Sequence, residues 1–269
     1  MHSQSAGLWI GVVLAAVSSS LWHRAIIGPI VGSLLVGVGG AMIATAIFAY
    51  LSPFNEPEFR RFLSLGVEKV WSSRQAIDDP YWVDRLHEAK ENCTLLGIAH
   101  GKWCEDERFR PTLHERLNHA VMFKMFFLDP DSPAAELRAA EEKRQPKGRD
   151  TRDAIRKSIK KMWEFRQSLD AGLRDRIRLY VYTATPSCGL MWVDQTMVVT
   201  HYLPGLPDVT SPALLITPPQ GGIEGSLYNI YARNVEKMEN FSILINEGNI
   251  HQFLPQEPLE QQAHGPAPN

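Results

Sequence analysis

The chain has 269 residues, 28 of them basic and 30 acidic, and a formal net charge of −2 at pH 7. This balance carries no electrostatic signal for nucleic-acid binding, so we do not expect a nucleic-acid partner. Three widely spaced cysteines, an odd number without metal-site spacing, argue against a disulfide framework and suit a reducing compartment (Cys93, Cys104, Cys188). We expect neither a metal nor a cofactor.

The first 51 residues are apolar and contain no Asp, Glu or Lys. As a helix rising about 1.5 Å per residue, Gly7–Leu51 would be more than twice as long as a hydrocarbon core of about 30 Å. The polar segment Trp22–Arg24 interrupts this run. The sequence therefore predicts a transmembrane hairpin over residues 1–51, with passes at about 7–22 and 25–51.

Two alternatives to the hairpin stay open, because the first pass is short. One is a single membrane anchor. The other is a cleaved signal peptide, although Met1–Ala6 provides no Lys or Arg ahead of the apolar run. The second pass is rich in small residues, which let helices approach closely in lipid and indicate either a homo-oligomer or packing of the hairpin against itself.

The charges that flank the apolar run predict its orientation. Arg60, Arg61 and Lys69 follow the second pass, whereas the connecting turn has only Arg24. The positive-inside rule then places the large C-terminal part in the cytoplasm. We expect a two-pass protein of the cytoplasmic (inner) membrane, with the lipid bilayer as a partner.

The soluble part begins with a linker over residues 52–75. Within it Glu58–Arg74 has apolar residues at helical spacing, which predicts an amphipathic helix on the bilayer surface or against the domain. At the other end, the residues 254–269 are rich in Pro and Gln and predict a disordered tail.

Between these segments, residues 76–245 alternate between strand and helix patterns. We expect a helix that Asp79 caps, with Pro80 in its first turn. The other predicted elements are strands Cys93–Ala99, Val121–Leu128, Ile177–Thr183, Gly189–Val193, Met197–Tyr202 and Ala213–Thr217, and helices Glu107–Ala120, from Ser132, Asp150–Leu169 and Ser226–Asn240. This order predicts an α/β domain with a mixed sheet flanked by helices.

The order of elements and several segments resemble the phospholipase D superfamily, and in particular its degenerate branch attached to membrane segments. The most specific features are Asp129-Pro130 with Arg138 nine residues after the Asp, and the strand pair centred on Asp194. The resemblance covers about residues 66–240 and rests on Arg85–Ala99, Val121–Glu142, Ile177–Pro204 and Ser211-Pro212.

Active members of that superfamily carry His-x-Lys-x4-Asp, in which one His attacks phosphorus, another protonates the leaving group and the Lys stabilises the phosphoryl oxygens. Aligned on Asp194, this chain has Ser187 at the His position and Gly189 at the Lys position. A Ser without an adjacent base cannot replace an imidazole, and Gly supplies no cation. The resemblance therefore implies a domain that has lost phosphodiester hydrolysis.

One segment argues for retained activity. His100-Gly101-Lys102, followed by Asp106, is one residue short of the motif and follows the first predicted strand of the domain. His100 and Lys102 are thus candidates for catalysis or for phosphate binding, and a solvated loop is the third interpretation. The further candidates for binding a phosphate-containing ligand, a nucleotide or a lipid headgroup, are Asp129, Arg138, Asp194, His201 and Tyr202.

The leading hypothesis is a membrane-anchored cytosolic sensor or effector with a catalytically degenerate phospholipase D-like domain. By analogy alone, its setting is bacterial stress or phage-defence signalling. Two alternatives remain: an active phosphodiesterase or phospholipase that uses His100 and Lys102, and a pore-forming membrane effector gated by the soluble domain.

Overall fold

The computed structural model describes residues 64–143, 150–203, 210–219 and 225–255. These residues belong to the second of the two units into which the chain divides, Ser64–Asn269. The predicted transmembrane hairpin, the linker up to residue 63 and the tail from residue 256 lie outside the described residues. Within the described ranges, no helix combines the length and apolarity that crossing a bilayer requires.

The domain is built on one mixed sheet of eight strands, in the order β1-β7-β6-β5-β2-β3-β4-β8. Strands β2, β3 and β4 are parallel, and every other neighbouring pair is antiparallel. The predicted α/β class with a mixed sheet is confirmed. The strands are β1 Val67–Trp71, β2 Asn92–Leu96, β3 Met122–Leu128, β4 Ile177–Tyr182, β5 Cys188–Val193, β6 Thr196–His201, β7 Ala213–Ile216 and β8 Ile243–Leu244.

Strand β3 shows why the centre of the sheet is parallel. From Phe123 to Leu128 it carries five apolar side chains that are completely buried, with only Lys124 between them partly exposed. A strand that is apolar on both faces needs helices on both sides, which the long crossover connections of parallel strands provide. The core therefore lies on both faces of β2, β3 and β4.

The helices connect and cover these strands. They are α1 Asp79–His87, α2 Gly101–Glu105, α3 Phe109–Asn118, α4 Pro133–Lys143, α5 Thr151–Gln167, α6 Ala171–Arg174 and α7 Leu227–Phe241, with short 3₁₀ turns at Arg74–Ala76 and Ile250–Phe253. The Asp150 carboxylate caps α5 by accepting from the Arg152 and Asp153 amides, and Ser226 caps α7. The sequence predicts both of these helix starts.

Two local predictions were wrong. In the helix predicted over Glu58–Arg74, the later part is instead strand β1 at Val67–Trp71, which pairs with β7, while residues 58–63 lie outside the described residues. Val67 and Trp71 are both buried and lie four residues apart, a spacing that returns to the same side of a helix and also of a strand. The N-cap of α1 is Asp78, not Asp79, which is the first helical residue.

Candidate functional site

A cavity of about 240 Å³ lies at the carboxyl end of β2, where the chain turns into α2. In α/β sheets this edge of the strands is where ligands usually bind. Its wall combines residues from β2, β5, β6, four α-helices and the 3₁₀ turn that begins at Arg74. The main lining side chains are Arg74, Trp82, Leu95, His100, Lys102, Trp103, Arg138, Thr151, Met191, Val198, Thr200 and Tyr202.

The charged residues of this cavity are all basic. Arg74, Lys102 and Arg138 line it, and no Asp or Glu is among the described lining residues. Thr151 and Ala154 belong to the first turn of α5, whose helix dipole adds positive potential at the same wall. The cavity therefore suits an anionic ligand.

His100 is held in one orientation at the turn between β2 and α2. Its backbone adopts the left-handed conformation, with φ at 55°. The ring Nε2 lies 2.9 Å from the carbonyl oxygen of Phe126, and the ring packs edge-on against Phe127. Because a carbonyl oxygen only accepts, we assign the ring proton to Nε2.

The electrostatic surroundings keep His100 neutral. Burial lowers the pKa of His100 to about 4, and the positive charge of Arg74 acts in the same direction, whereas the hydrogen bond to the Phe126 carbonyl opposes them. With its proton on Nε2, the neutral imidazole presents Nδ1 as an acceptor. At pH 7 His100 is thus a base or an acceptor, not a cation.

Two glycines make room for the side chains at the inner end of the cavity. A Cβ on Gly97 would lie 2.8 Å from Cε1 of His100 and 3.2 Å from the hydroxyl oxygen of Tyr202, and a Cβ on Gly189 would lie 2.8 Å from the same hydroxyl. Neither position tolerates a larger residue unless these rings move. The space beside Gly189, at the position aligned with the superfamily Lys, is therefore occupied by Tyr202.

Arg138 and Lys102 differ in how they are held. Arg138 is buried at 8% exposure, forms a 3.0 Å ion pair with Glu141, and places its guanidinium carbon 5.8 Å from the ring centre of Tyr202. Lys102 is 61% exposed and forms an ion pair with Asp79 of α1. An exposed ion pair of this kind contributes little to the stability of the fold, and water readily replaces Asp79 as the partner of Lys102.

The structure brings together some of the site residues singled out from the sequence and not others. His100, Lys102, Arg138 and Tyr202 line one cavity, as does Gly189. Of the three interpretations of His100–Lys102, the solvated loop does not describe the backbone, because the chain turns at His100 and Gly101–Glu105 forms a short helix. Asp129, Asp194 and His201 are not among the described lining residues.

These three side chains have local structural contacts instead. The Asp129 carboxylate accepts from the Asp131 amide at 2.9 Å, forming the turn that precedes α4. His201 Nε2 lies 2.7 Å from the Tyr231 hydroxyl on α7. Asp194 is at the opposite end of β2 from the cavity, because it binds the backbone that enters the strand at Asn92.

The Asp194 carboxylate holds the backbone segment that leads into β2. It accepts from the backbone amides of Lys90, Glu91 and Asn92, each at 2.9 Å. Its own residue is left-handed, with φ at 50°, in the turn between β5 and β6. Asp194 therefore fastens the β5–β6 turn to the start of β2.

Other lining residues were missed from the sequence. Arg74 lies at the end of the segment predicted as an amphipathic helix, and its amide is fixed by the carbonyl of Ser211 at 2.7 Å. Its guanidinium stacks over Trp82, 5.5 Å from the ring centre. No local pattern marks Arg74, because β7 and its flanking segment decide where it lies.

The cysteines and the described metal-ligating residues give no second site. Cys93, Cys104 and Cys188 are buried free thiols, and burial raises the pKa of Cys104 to about 11. A thiol with a raised pKa is a poor nucleophile. Among the residues that the structure describes, no group of three or more His, Cys, Asp or Glu could hold a metal ion.

Comparisons with known proteins give distant structural similarity only. No family model matches the sequence, and no curated protein matches it. TrmBL2, an archaeal chromatin protein, is similar with a TM-score of 0.39 and 10% identity over 84% of this chain and 68% of that chain.

A second similar structure is phosphatidylserine synthase of Haemophilus influenzae Rd KW20, a member of the phospholipase D superfamily. The TM-score is 0.44 and the identity 13%, over 71% of this chain and 41% of that chain, so the chain spans about two fifths of the synthase. Both TM-scores are low, and neither similarity assigns this chain to a family.

Proposed function

We propose that the described domain binds a small phosphate-containing ligand without hydrolysing it, and that the chain is a membrane-anchored sensor or effector. The observation that carries this proposal is the cavity wall, with two arginines and a lysine, no carboxylate among the described lining residues, and a neutral histidine. Arginine is well suited to phosphate because its planar guanidinium donates two parallel hydrogen bonds.

The size of the cavity limits the size of the ligand that it can hold. Its volume of about 240 Å³ is smaller than the roughly 300–1,000 Å³ of sites for drug-sized molecules. One phosphate group with a compact organic group matches this volume better than a large dinucleotide does. A nucleotide fragment and a lipid headgroup both belong to this chemical class.

The same geometry argues against a phosphodiesterase. Hydrolysis through phosphohistidine needs a nucleophile, a separate acid for the leaving group and a cation on phosphorus. His100 is the one imidazole among the described lining residues, and its Nε2 is hydrogen-bonded to the backbone carbonyl of Phe126. His201 cannot serve as the second imidazole from where it lies, since it contacts Tyr231 on α7.

The membrane part of the proposal comes from the sequence. The apolar residues 1–51 support a two-pass anchor in the cytoplasmic membrane, with the ligand-binding domain in the cytoplasm and a homo-oligomer formed through the small residues of the second pass. Bacterial stress or phage-defence signalling is the setting that we propose for such a protein, by analogy alone.

Binding of inorganic phosphate to the full chain in detergent tests the proposal. We expect Arg138→Gln to weaken this binding at least about tenfold, because a hydrogen bond to a charged group contributes about 1.5–3 kcal/mol. Isothermal titration calorimetry measures the change. Arg233→Gln removes an exposed arginine of α7 and is the matched control, expected to bind as the wild type does.

Two results would contradict the proposal. In the first, inorganic phosphate does not bind, or binds equally well to the wild type and Arg138→Gln. In the second, the purified chain turns over phospholipids or a generic phosphodiester and His100→Ala abolishes that turnover. The second result would establish the enzyme that uses His100 and Lys102.

A further inference from the structure

Tyr202 lines the cavity and has contacts through its hydroxyl, its ring and its backbone. Its hydroxyl lies in the space left by two glycines, and its ring lies beside the Arg138 guanidinium. Its amide donates to the carbonyl of Ser187 at 2.9 Å, which fixes the backbone at the end of β6. An anion that engages Arg138 in this cavity therefore meets the Tyr202 side chain as well.

The residue before Tyr202 faces the other way. Successive side chains of a strand point to opposite sides, and His201 directs Nε2 to the Tyr231 hydroxyl on α7, 2.7 Å away. The end of β6 thus contacts the cavity through Tyr202 and helix α7 through His201.

Helix α7 is held differently at its two ends. Near its C-terminus, Glu239 accepts from Lys124 of β3 at 2.6 Å and from the Tyr180 hydroxyl of β4 at 2.7 Å, which fastens that end to the sheet. At its N-terminus, the Leu227 amide donates to the carbonyl of Leu65 at 3.0 Å. Tyr231 lies one turn after Leu227, at the opposite end of the helix from the Lys124–Glu239 ion pair.

Leu65 is the second described residue of the domain, and the chain that precedes it is the predicted linker and membrane hairpin. The neighbouring Gly66 carbonyl accepts from the Thr217 amide at 2.8 Å. Gly66 has φ at 87°, and a Cβ there would lie 2.3 Å from the Thr217 carbonyl oxygen. The segment that enters the domain is therefore in direct contact with the N-terminus of α7 and with the end of β7.

We propose that Tyr202 recognises the bound ligand and that the neighbouring His201 transmits occupancy of the cavity, through Tyr231 and α7, to the entering segment at Leu65 and Gly66. This inference rests on the proposed function, because it requires an anion in the cavity. A ligand shifts such a contact only if it binds one arrangement of β6 better than the other. Tyr202 is a recognition residue, and His201 and Tyr231 are positioning residues.

Hydrogen–deuterium exchange of the full chain in nanodiscs, with and without saturating inorganic phosphate, tests this coupling. We expect phosphate to change exchange severalfold in the first turns of α7 and in Ser64–Trp71. Tyr231→Phe removes one hydroxyl outside the cavity, so it should keep the phosphate affinity within about twofold and lose this exchange response. Tyr202→Phe should weaken phosphate binding about tenfold, because its hydroxyl is the donor that the ligand would lose.

Tyr228→Phe is the matched control, because Tyr228 is on the same helix but packs against Trp192 at a ring distance of 6.0 Å. It should keep both the affinity and the exchange response. If phosphate binds and exchange in α7 and Ser64–Trp71 is unchanged, the coupling is overturned and the proposed function stands. If Tyr202→Phe binds phosphate as the wild type does, the role of Tyr202 in ligand recognition is overturned. If the wild type binds no phosphate, this inference and the proposed function are both overturned.

Discussion

Replacing Asp194 by alanine is expected to lower the free energy of unfolding by about 3 kcal/mol. The carboxylate accepts from three backbone amides, those of Lys90, Glu91 and Asn92, and each such bond contributes about 1 kcal/mol. Alanine also tolerates the left-handed backbone of this position less well than Asp does. For a domain of this size the loss corresponds to a fall in Tm of roughly 6–12 °C.

Asp194→Asn is the informative control for this prediction. The amides of Glu91 and Asn92 both bind the same carboxylate oxygen, Oδ1, which an asparagine carbonyl can replace, whereas the Lys90 amide binds Oδ2. Asparagine also suits the left-handed backbone. We expect Asp194→Asn to lower the free energy of unfolding by about a third as much as Asp194→Ala does. Chemical denaturation of the full chain in detergent measures both changes. Equal stability of wild type and Asp194→Ala would show that this carboxylate does not hold β2 to the β5–β6 turn.

A second large effect is expected in the pH dependence of stability. The pKa of His100 falls from its ordinary 6.5 to about 4 in the folded protein because burial disfavours the charged ring. For a base with a lowered pKa, the unfolded chain takes up the proton first as the pH falls. The stability that neutral His100 provides is therefore complete above about pH 6.5 and is lost as the pH falls towards 4.

Between pH 6.5 and 4 we expect the free energy of unfolding to fall by about 2–3 kcal/mol. This figure is below the full value for the pKa shift, because His100 keeps some contact with solvent. Denaturation curves between pH 7 and 4 should show it as a difference between the wild type and His100→Asn, because both proteins share the carboxylates that titrate in the same range. Asparagine is chosen because it accepts the left-handed backbone of position 100. Parallel curves for the two proteins would show that His100 is not held neutral by the fold.

These two residues also show what sequence reasoning could and could not reach. Both are candidates on the sequence alone, His100 from the near-match to the His-x-Lys motif and Asp194 as the surviving Asp of the aligned motif. The structure places His100 in a cavity and Asp194 at the opposite end of β2. The contacts of Asp194 are structural, because its carboxylate binds backbone amides about a hundred residues earlier in the chain.

Helices and strands with a strong local signal were determined by the sequence itself. The apolar run Met122–Leu128 forms a buried strand, and Ser132, Asp150 and Ser226 begin helices, because burial pattern and capping depend on neighbours in the chain. Strand β1 was missed since its two buried residues lie four apart, which suits either period, and only pairing with β7 selects the strand.

The sequence by itself determined the α/β class, the strands β2 to β7, the helices α1, α3, α4, α5 and α7, and the strongly apolar first 51 residues. Only the tertiary structure decided that Arg74, His100, Arg138 and Tyr202 share one cavity and that Asp129, Asp194 and His201 lie elsewhere. The physical reason is that local periodicity reports burial and backbone hydrogen bonding within one element. The convergence of side chains from distant elements depends instead on the strand order and on the register of each pair, which no single segment encodes.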